Sequence, residues 1–218
     1  MKNIPRIFIG TDIKSGNIIP VDKSVAHYLS RVMRRNDCLV FGDGNEYTAT
    51  LNADGKTMTI GAKTNHIDPS NDITLYFAPI KRLDDMLNMA TQMGVAKLVP
   101  VITERTVANH INWDRMKKIV VEAAEQSNRN SVPEITQPIK FADLPFADLV
   151  FADERAAYGR DIKTEYKGVK NILVGPEGGF SDTEFETLDK TGALPLSLGK
   201  TILRAELAAP IAISRVTK

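Results

Sequence analysis

A small N-terminal β-barrel followed by an α/β domain on a mostly parallel sheet is the architecture this sequence predicts, on three observations. Short alternating apolar segments, separated by Gly, Asp and Asn turns, fill the chain before residue 66. Turn formers then cluster in HIDPSND, residues 66–72, where Pro69 discourages continuous structure. Beyond that point short apolar strands alternate with amphipathic helices, which is the pattern of a parallel sheet covered on both faces. Domain bounds of 1–68 and 73–218 follow.

In the first part the strand segments are RIFIG, NIIPV, CLVFGDG, EYTATLN and TMTIGAKT, with turns at DGN and ADGK. HYLSRVMR is the one helical stretch among them. In the second part ITLYFAP is followed by a helix over 82–93, and KLVPVIT by a helix over 112–128. LVFAD, NILVG and LPLSLG are strands, and helices follow the second and third. No internal repeat or low-complexity segment interrupts this order.

Composition excludes several classes. Charged residues at 25% and hydrophobic residues at 43% are ordinary for a globular chain of 218 residues. No apolar run is long enough to cross a bilayer, and MKNIPRIFIG lacks the apolar stretch of a signal peptide, so a cytoplasmic location is expected. The single cysteine, Cys38, rules out an internal disulfide and is expected to be a small buried residue. His27, His66 and His110 are too scattered for a zinc site, and no metal is expected.

A net charge of +1 argues against a protein that coats nucleic acid, but the distribution is uneven. Residues 1–67 hold nine Lys/Arg against six Asp/Glu, hence +3, leaving 19 against 21, hence −2, for the rest. Arg31, Arg34 and Arg35 sit together in SRVMRRN at i, i+3, i+4 spacing, which on a helix places them on one face. Such a cluster is either a solvated face or a phosphate-contacting patch.

The stretch LVGPEGGFSDTEFE, residues 173–186, joins a buried strand to a helix that Ser181 and Glu184 start as a capping box. A loop at the carboxyl end of a parallel strand is where ligands bind in sheets of this kind. It lacks both the dinucleotide fingerprint G-x-G-x-x-G and the Gly-Lys-Ser/Thr of a phosphate loop. Glu177 in its middle would repel phosphate, so the ligand expected is cationic or neutral. The plain alternative is a tight turn whose glycines supply positive φ and whose glutamate faces solvent. A second strand–glycine–helix unit, LPLSLGKTILRAELAAPIAISRV, puts Arg204 and Glu206 on an otherwise apolar segment, where an unpaired charge is costly. They are expected to face each other, a partner subunit or a ligand. Two such loops on neighbouring strands would enclose a pocket.

GPEGGF, followed about twenty residues later by LSLGKTILRAE, closely resembles the signature of the ribosomal RNA small subunit methyltransferase E family, in the SPOUT superfamily of trefoil-knot methyltransferases. HYLSRVMR with FGDGN resembles that family's N-terminal PUA-like barrel, KRLDDMLNMATQMGVAKLVPVITERT its first catalytic-domain helix and strand, and EAAEQSNRNSVPEI its next helix end. The resemblance implies a knotted C-terminal domain, a homodimer, and S-adenosylmethionine bound bent in the knot loops. It places the cofactor on Gly175, Pro176, Glu177, Gly178, Gly179, Leu198, Gly199, Ile202 and Leu203, with Gly178 and Gly199 as points of close backbone approach. Methylation of N3 of one uridine in small-subunit (16S) ribosomal RNA is the implied activity. Ribose 2′-O-methylation, or RNA binding without catalysis, are the alternatives.

N3 must lose its proton before it can act as a nucleophile, and the anion spreads onto O2 and O4. Arg204 is the candidate to stabilise that charge, Glu206 and Glu125 are the candidate bases, and Arg31, Arg34 and Arg35 the candidate RNA contacts. The chain departs from the family pattern at Gln92, where Glu is usual, and at Ala205 and Leu207, where Thr often stands. The segment 141–170 carries little of the family's signature.

Overall fold

The structure, a computed structural model, describes residues 4–10, 12–42, 44–107 and 111–217; His110 and Asp43 of the FGDGN segment lie outside these. The chain divides into two compact units, Met1–Ser70 with Val121–Val132, and Asn71–Val120 with Pro133–Lys218.

The first unit contains β1 (Arg6–Phe8), β2 (Ile18–Pro20), α1 (Lys23–His27), β3 (Asp37–Phe41), β4 (Glu46–Leu51) and β5 (Thr57–Lys63). These strands form one sheet in the order β1-β3-β4-β5-β2, parallel only between β1 and β3. Alternate residues of β4 are buried, as a half-covered sheet requires, and its inward side chains pack with Leu29, Val40, Met58 and Ile60. Where the sequence predicts a barrel, the described strands make an open sheet. Its edge strands β1 and β2 have three residues each and pair only with β3 and β5. Cys38 is 2% exposed, and burial pushes its thiol up to about 12, which makes it a packing residue rather than a nucleophile.

Arg6 fastens this unit. Its Nε donates to Glu46 Oε2 at 2.8 Å, and its other nitrogens donate to Ala124 O, Arg129 O and Asn130 Oδ1 at 3.2, 2.9 and 2.8 Å. An arginine this buried is tolerated because each donor direction finds an acceptor. Residues 121–132 thereby fold with a sheet far away in sequence.

The second unit holds β6 (Thr74–Phe77), α2 (Leu83–Gln92), β7 (Lys97–Ile102), the start of α3 (Trp113–Gln126), β8 (Glu134–Ile135), β9 (Ile139–Lys140), β10 (Leu149–Ala152), β11 (Asn171–Val174), α4 (Asp182–Lys190), β12 (Leu194–Leu196) and α5 (Ala205–Val216). Strand order is β12-β10-β11-β6-β7-β8, with β9 beside β7, and every pairing is parallel. All four residues of β10 are buried, the mark of a strand covered on both faces. The sequence therefore predicts the mostly parallel sheet correctly, while the two-residue strands β8 and β9 lie between its predicted elements. None of the helices described is long and apolar enough to cross a membrane.

The order of strands decides where ligands can bind. β10 lies between β12 and β11, so the loops leaving β11 and β12 flank the carboxyl end of β10. The helix after β11 starts as the sequence predicts. Ser181 Oγ accepts from Glu184 N at 3.3 Å, and Glu184 Oε2 accepts from Ser181 N at 2.9 Å. The other carboxylate oxygen accepts from Glu104 N at 2.8 Å, tying the chain after β7 to this helix. Ser181→Ala should lower stability by about 1 kcal/mol, the usual worth of such a cap. A reduced midpoint of urea unfolding with an unchanged slope is the expected measurement, and an unshifted midpoint would show the cap to be redundant.

Candidate functional site

Two glycine loops build the site. After β11 the chain turns through Gly175–Gly179, closed by a 3.0 Å bond from Gly179 N to Pro176 O. Gly179 has φ +68, which favours glycine, and Gly175 lies so close under the Phe180 ring that an added Cβ would sit 3.0 Å from it. Phe180 is buried against Phe141, Phe151 and Phe185, and this aromatic cluster supports the loop from below. Arg105 clasps it from the side, donating from Nη1 to Gly178 O at 3.0 Å and Phe180 O at 3.1 Å.

After β12 the chain passes through Ser197–Gly199 and runs without regular structure to Arg204, the N-cap of α5. Between the two loops is a cavity of about 730 Å³, within the usual range for small-molecule sites. Gly175, Pro176, Glu177, Gly178, Gly179, Leu198, Gly199, Ile202 and Leu203 all line it, as do Arg204 and Glu206. The residues assigned to the cofactor by resemblance thus come together around one space.

Of the three expectations for Arg204 and Glu206, a mutual pair is not met, while both line the cavity where a ligand would sit. Arg204 and Glu206 do not face each other: Glu206, 8% exposed, pairs with Arg82 at 3.6 Å. The Arg204 guanidinium is exposed at the cavity and bonds to no other described residue. Helix geometry is the reason, because Arg204 sits before the first turn with ψ 148 while Glu206 points from inside it towards α2. Glu177 is exposed, and its Oε1 accepts from Lys81 N at 3.1 Å. Glu125 belongs to the first unit, where Oε1 accepts from Phe8 N at 3.0 Å and burial raises its pKa; it is not among the residues lining the cavity.

At the cavity, Lys81, Arg82 and Arg105 fall within the KRLDDMLNMATQMGVAKLVPVITERT segment, whereas no motif of the sequence marks Glu154 and Tyr158. The last two belong to a single 3₁₀ turn, Glu154–Tyr158, which leaves β10 between the two loops. Residues on both sides of Glu154 are locked. Asp153, its side chain fully buried, accepts from Arg155 N and Nε, and Arg155 continues to Asp189 at 2.8 Å while lying 4.1 Å over the Phe185 ring. The bond from Arg155 holds the Asp189 carboxyl down to about 2.

The arginine cluster of the first unit is not one helical face. α1 ends at His27, and the next turn, Tyr28–Val32, is a wider π-type turn closed by Met33 N to Tyr28 O at 2.9 Å. Arg34 has φ +52, which breaks the i, i+3, i+4 alignment, and Arg35 turns back to pair with Asp37. Arg31 and Arg34 remain exposed.

Residues 68–217 match the model of the RNA methyltransferase domain family. The ribosomal RNA small subunit methyltransferase E of Rickettsia conorii is 35% identical over 97% of this chain and 94% of its own length. The chain belongs to the ribosomal RNA small subunit methyltransferase E family. Its counterpart in Aquifex aeolicus is 28% identical over 93% of this chain and 94% of its own. Among solved structures, the family member from Neisseria gonorrhoeae, bound to S-adenosyl methionine, superposes with a TM-score of 0.82 at 28% identity, covering 97% of this chain and 96% of that one. Within this family frame, the departure at Ala205 falls on a buried residue, 6% exposed, and that at Leu207 on a surface position, 45% exposed.

Proposed function

We propose that this protein transfers a methyl group from S-adenosylmethionine to N3 of a uridine in small-subunit (16S) ribosomal RNA. The observation that carries this reading is the convergence of the Gly175–Gly179 and Leu198–Leu203 loops on one cavity that also exposes Arg204 and Glu206. The residues fit the cofactor: a glycine cradle that a Cβ would fill, apolar walls from Leu198, Ile202 and Leu203, and carboxylates suited to a ligand with a sulfonium and an ammonium. Bound there, S-adenosylmethionine supplies an electrophilic methyl. The solved relative from Neisseria gonorrhoeae supports this choice of ligand.

The chain's own groups have the remaining work. Arg204, unpaired among the described residues and lining the cavity, would receive the negative charge that spreads onto O2 and O4 as N3 loses its proton. Of the two candidate bases, Glu206 lines the cavity and is the better acceptor for that proton, while Glu125 serves the backbone of β1. On this reading residues 73–218 form the SPOUT domain with its trefoil knot, and residues 1–68 a PUA-like domain that engages RNA. A homodimer is supported by exposed Ile202 and Leu207, beside a recess lined by Arg82, Asp85 and Met89. A ribosomal substrate implies a cytoplasmic location.

Ribosomal RNA from a strain lacking the protein, methylated in vitro and digested to nucleosides, is expected to yield 3-methyluridine by mass spectrometry. A methyl on the ribose would replace this reading by 2′-O-methylation, and absence of calorimetric cofactor binding would leave only RNA binding.

Replacing Arg31, Arg34 and Arg35 together by Ala is expected to weaken RNA binding and to flatten its dependence on salt. Arg35 already has Asp37 as a partner. The slope of log K against log salt should therefore fall by about 1 to 2, near 0.7–0.9 per lost phosphate contact. Cofactor affinity should stay constant, and an unaltered slope would return the cluster to a solvated face.

A further inference from the structure

Four carboxylates line the cavity, and three have partners that account for them. Asp153 is held by Arg155, Glu206 by Arg82, and Glu177 by the backbone N–H of Lys81. Glu154 differs: among the described residues its carboxylate accepts from its own backbone N–H and from no other residue. Two cations act on it from nearby: Arg155 is engaged by Asp153 and Asp189, and Arg105 spends Nη1 on the carbonyls of Gly178 and Phe180. The Glu154 carboxylate is seated in the crook of the first glycine loop, with Oε1 only 2.1 Å from where a Cβ on residue 179 would stand. Its backbone cannot easily withdraw, because Asp153 and Arg155 on either side are fixed to each other and to Asp189, and Asp153 N donates to Leu196 O at 3.0 Å.

A half-buried carboxylate carries a desolvation cost, and here burial raises its pKa. A ligand that brings a positive charge offsets that cost far better than one that offers neutral hydroxyls, since the attraction of opposite charges grows as water is excluded. Topology adds the location: the carboxyl end of β10 lies between the two cofactor loops. Given S-adenosylmethionine as the ligand, on which this inference rests, we propose that Glu154 receives the cationic methionine end of the cofactor. Glu154, rather than Glu177, is then the acidic group that selects a charged ligand, and adenosine is left to the loop backbones.

Calorimetry of the wild type and Glu154→Gln with three ligands tests this. The ligands are S-adenosylmethionine, S-adenosylhomocysteine and 5′-methylthioadenosine, of which the last keeps the adenosine and lacks the amino-acid end. The variant should bind the first two roughly ten- to hundredfold more weakly, the range of one charge-assisted hydrogen bond. Its affinity for 5′-methylthioadenosine should change less than about twofold, which also shows that the pocket is intact. Equal losses for all three ligands, or no loss for any, overturn the assignment. A wild type that binds none of the three overturns the methyltransferase reading itself, and this inference with it.

Discussion

Gly179→Val is expected to reduce affinity for S-adenosylmethionine by about a hundredfold. Two independent costs fall on this position. At φ +68 an L-residue pays about 1–2 kcal/mol, and a β-branched one more. Its Cβ would also stand 2.1 Å from Glu154 Oε1, so the carboxylate or the loop must move. Gly192 supplies the control. It has φ +85 with nothing within 4 Å of an added Cβ, and it lies in the turn after α4, away from the cavity. Gly192→Val should therefore lower the melting temperature by the φ cost alone while leaving cofactor affinity within about twofold. Calorimetry and thermal melting on both variants separate the contributions. Equal affinities in the two variants would remove the first glycine loop from the site.

Much of this loop was legible in the sequence, but not its tightest point. Gly178 and Gly199 are the positions that the motif marks for close approach. That approach is to a ligand; towards the protein itself an added Cβ at Gly178 would meet Arg105 at an ordinary 3.6 Å, and one at Gly199, at φ +136, would meet nothing within 4 Å. The constraint at Gly179 comes from Glu154, and that neighbour cannot be seen from local sequence. Strand order creates it, since β10 inserts between β11 and β12, which follow it in the chain. Segment 141–170 consists largely of 3₁₀ turns and irregular chain around one short strand, so no periodicity advertises what it contributes.

The strands and longer helices were readable for the opposite reason. Their burial follows from local apolar runs such as NILV and LVFA, which are buried wherever the sheet places them. The arginine cluster failed as a helical face because spacing predicts alignment only while the backbone stays helical, and Arg34 leaves that region. Glu206 found Arg82 instead of Arg204 because packing of α5 against α2 outranks nearness in sequence.

Arg204→Ala is expected to slow methyl transfer by roughly two to three orders of magnitude in single-turnover reactions, the range for loss of one donor that stabilises a developing oxyanion. Its guanidinium lines the cavity and bonds to no other described residue, so it is free to meet charge that appears only during the reaction. Cofactor affinity should fall much less than rate, because in the proposed reaction the charge on uracil O2 and O4 is absent from the ground state. Arg204→Lys should recover little, since an ammonium cannot reproduce the planar fork that spans two acceptors. A purely structural role predicts the reverse, with lost stability or a changed assembly and a proportionate loss of activity. The geometry argues against that role: Glu206 keeps its pair with Arg82 when Arg204 is truncated, so no buried carboxylate is stranded. The backbone contribution of residue 204 also survives, because its carbonyl still accepts from Leu207 N at 2.9 Å and Ala208 N at 2.8 Å to start α5. Sedimentation and thermal melting beside the kinetics decide the matter. An unchanged assembly with slowed transfer supports the catalytic role, a dissociated or unstable protein supports the structural one, and normal turnover in a stable protein refutes both.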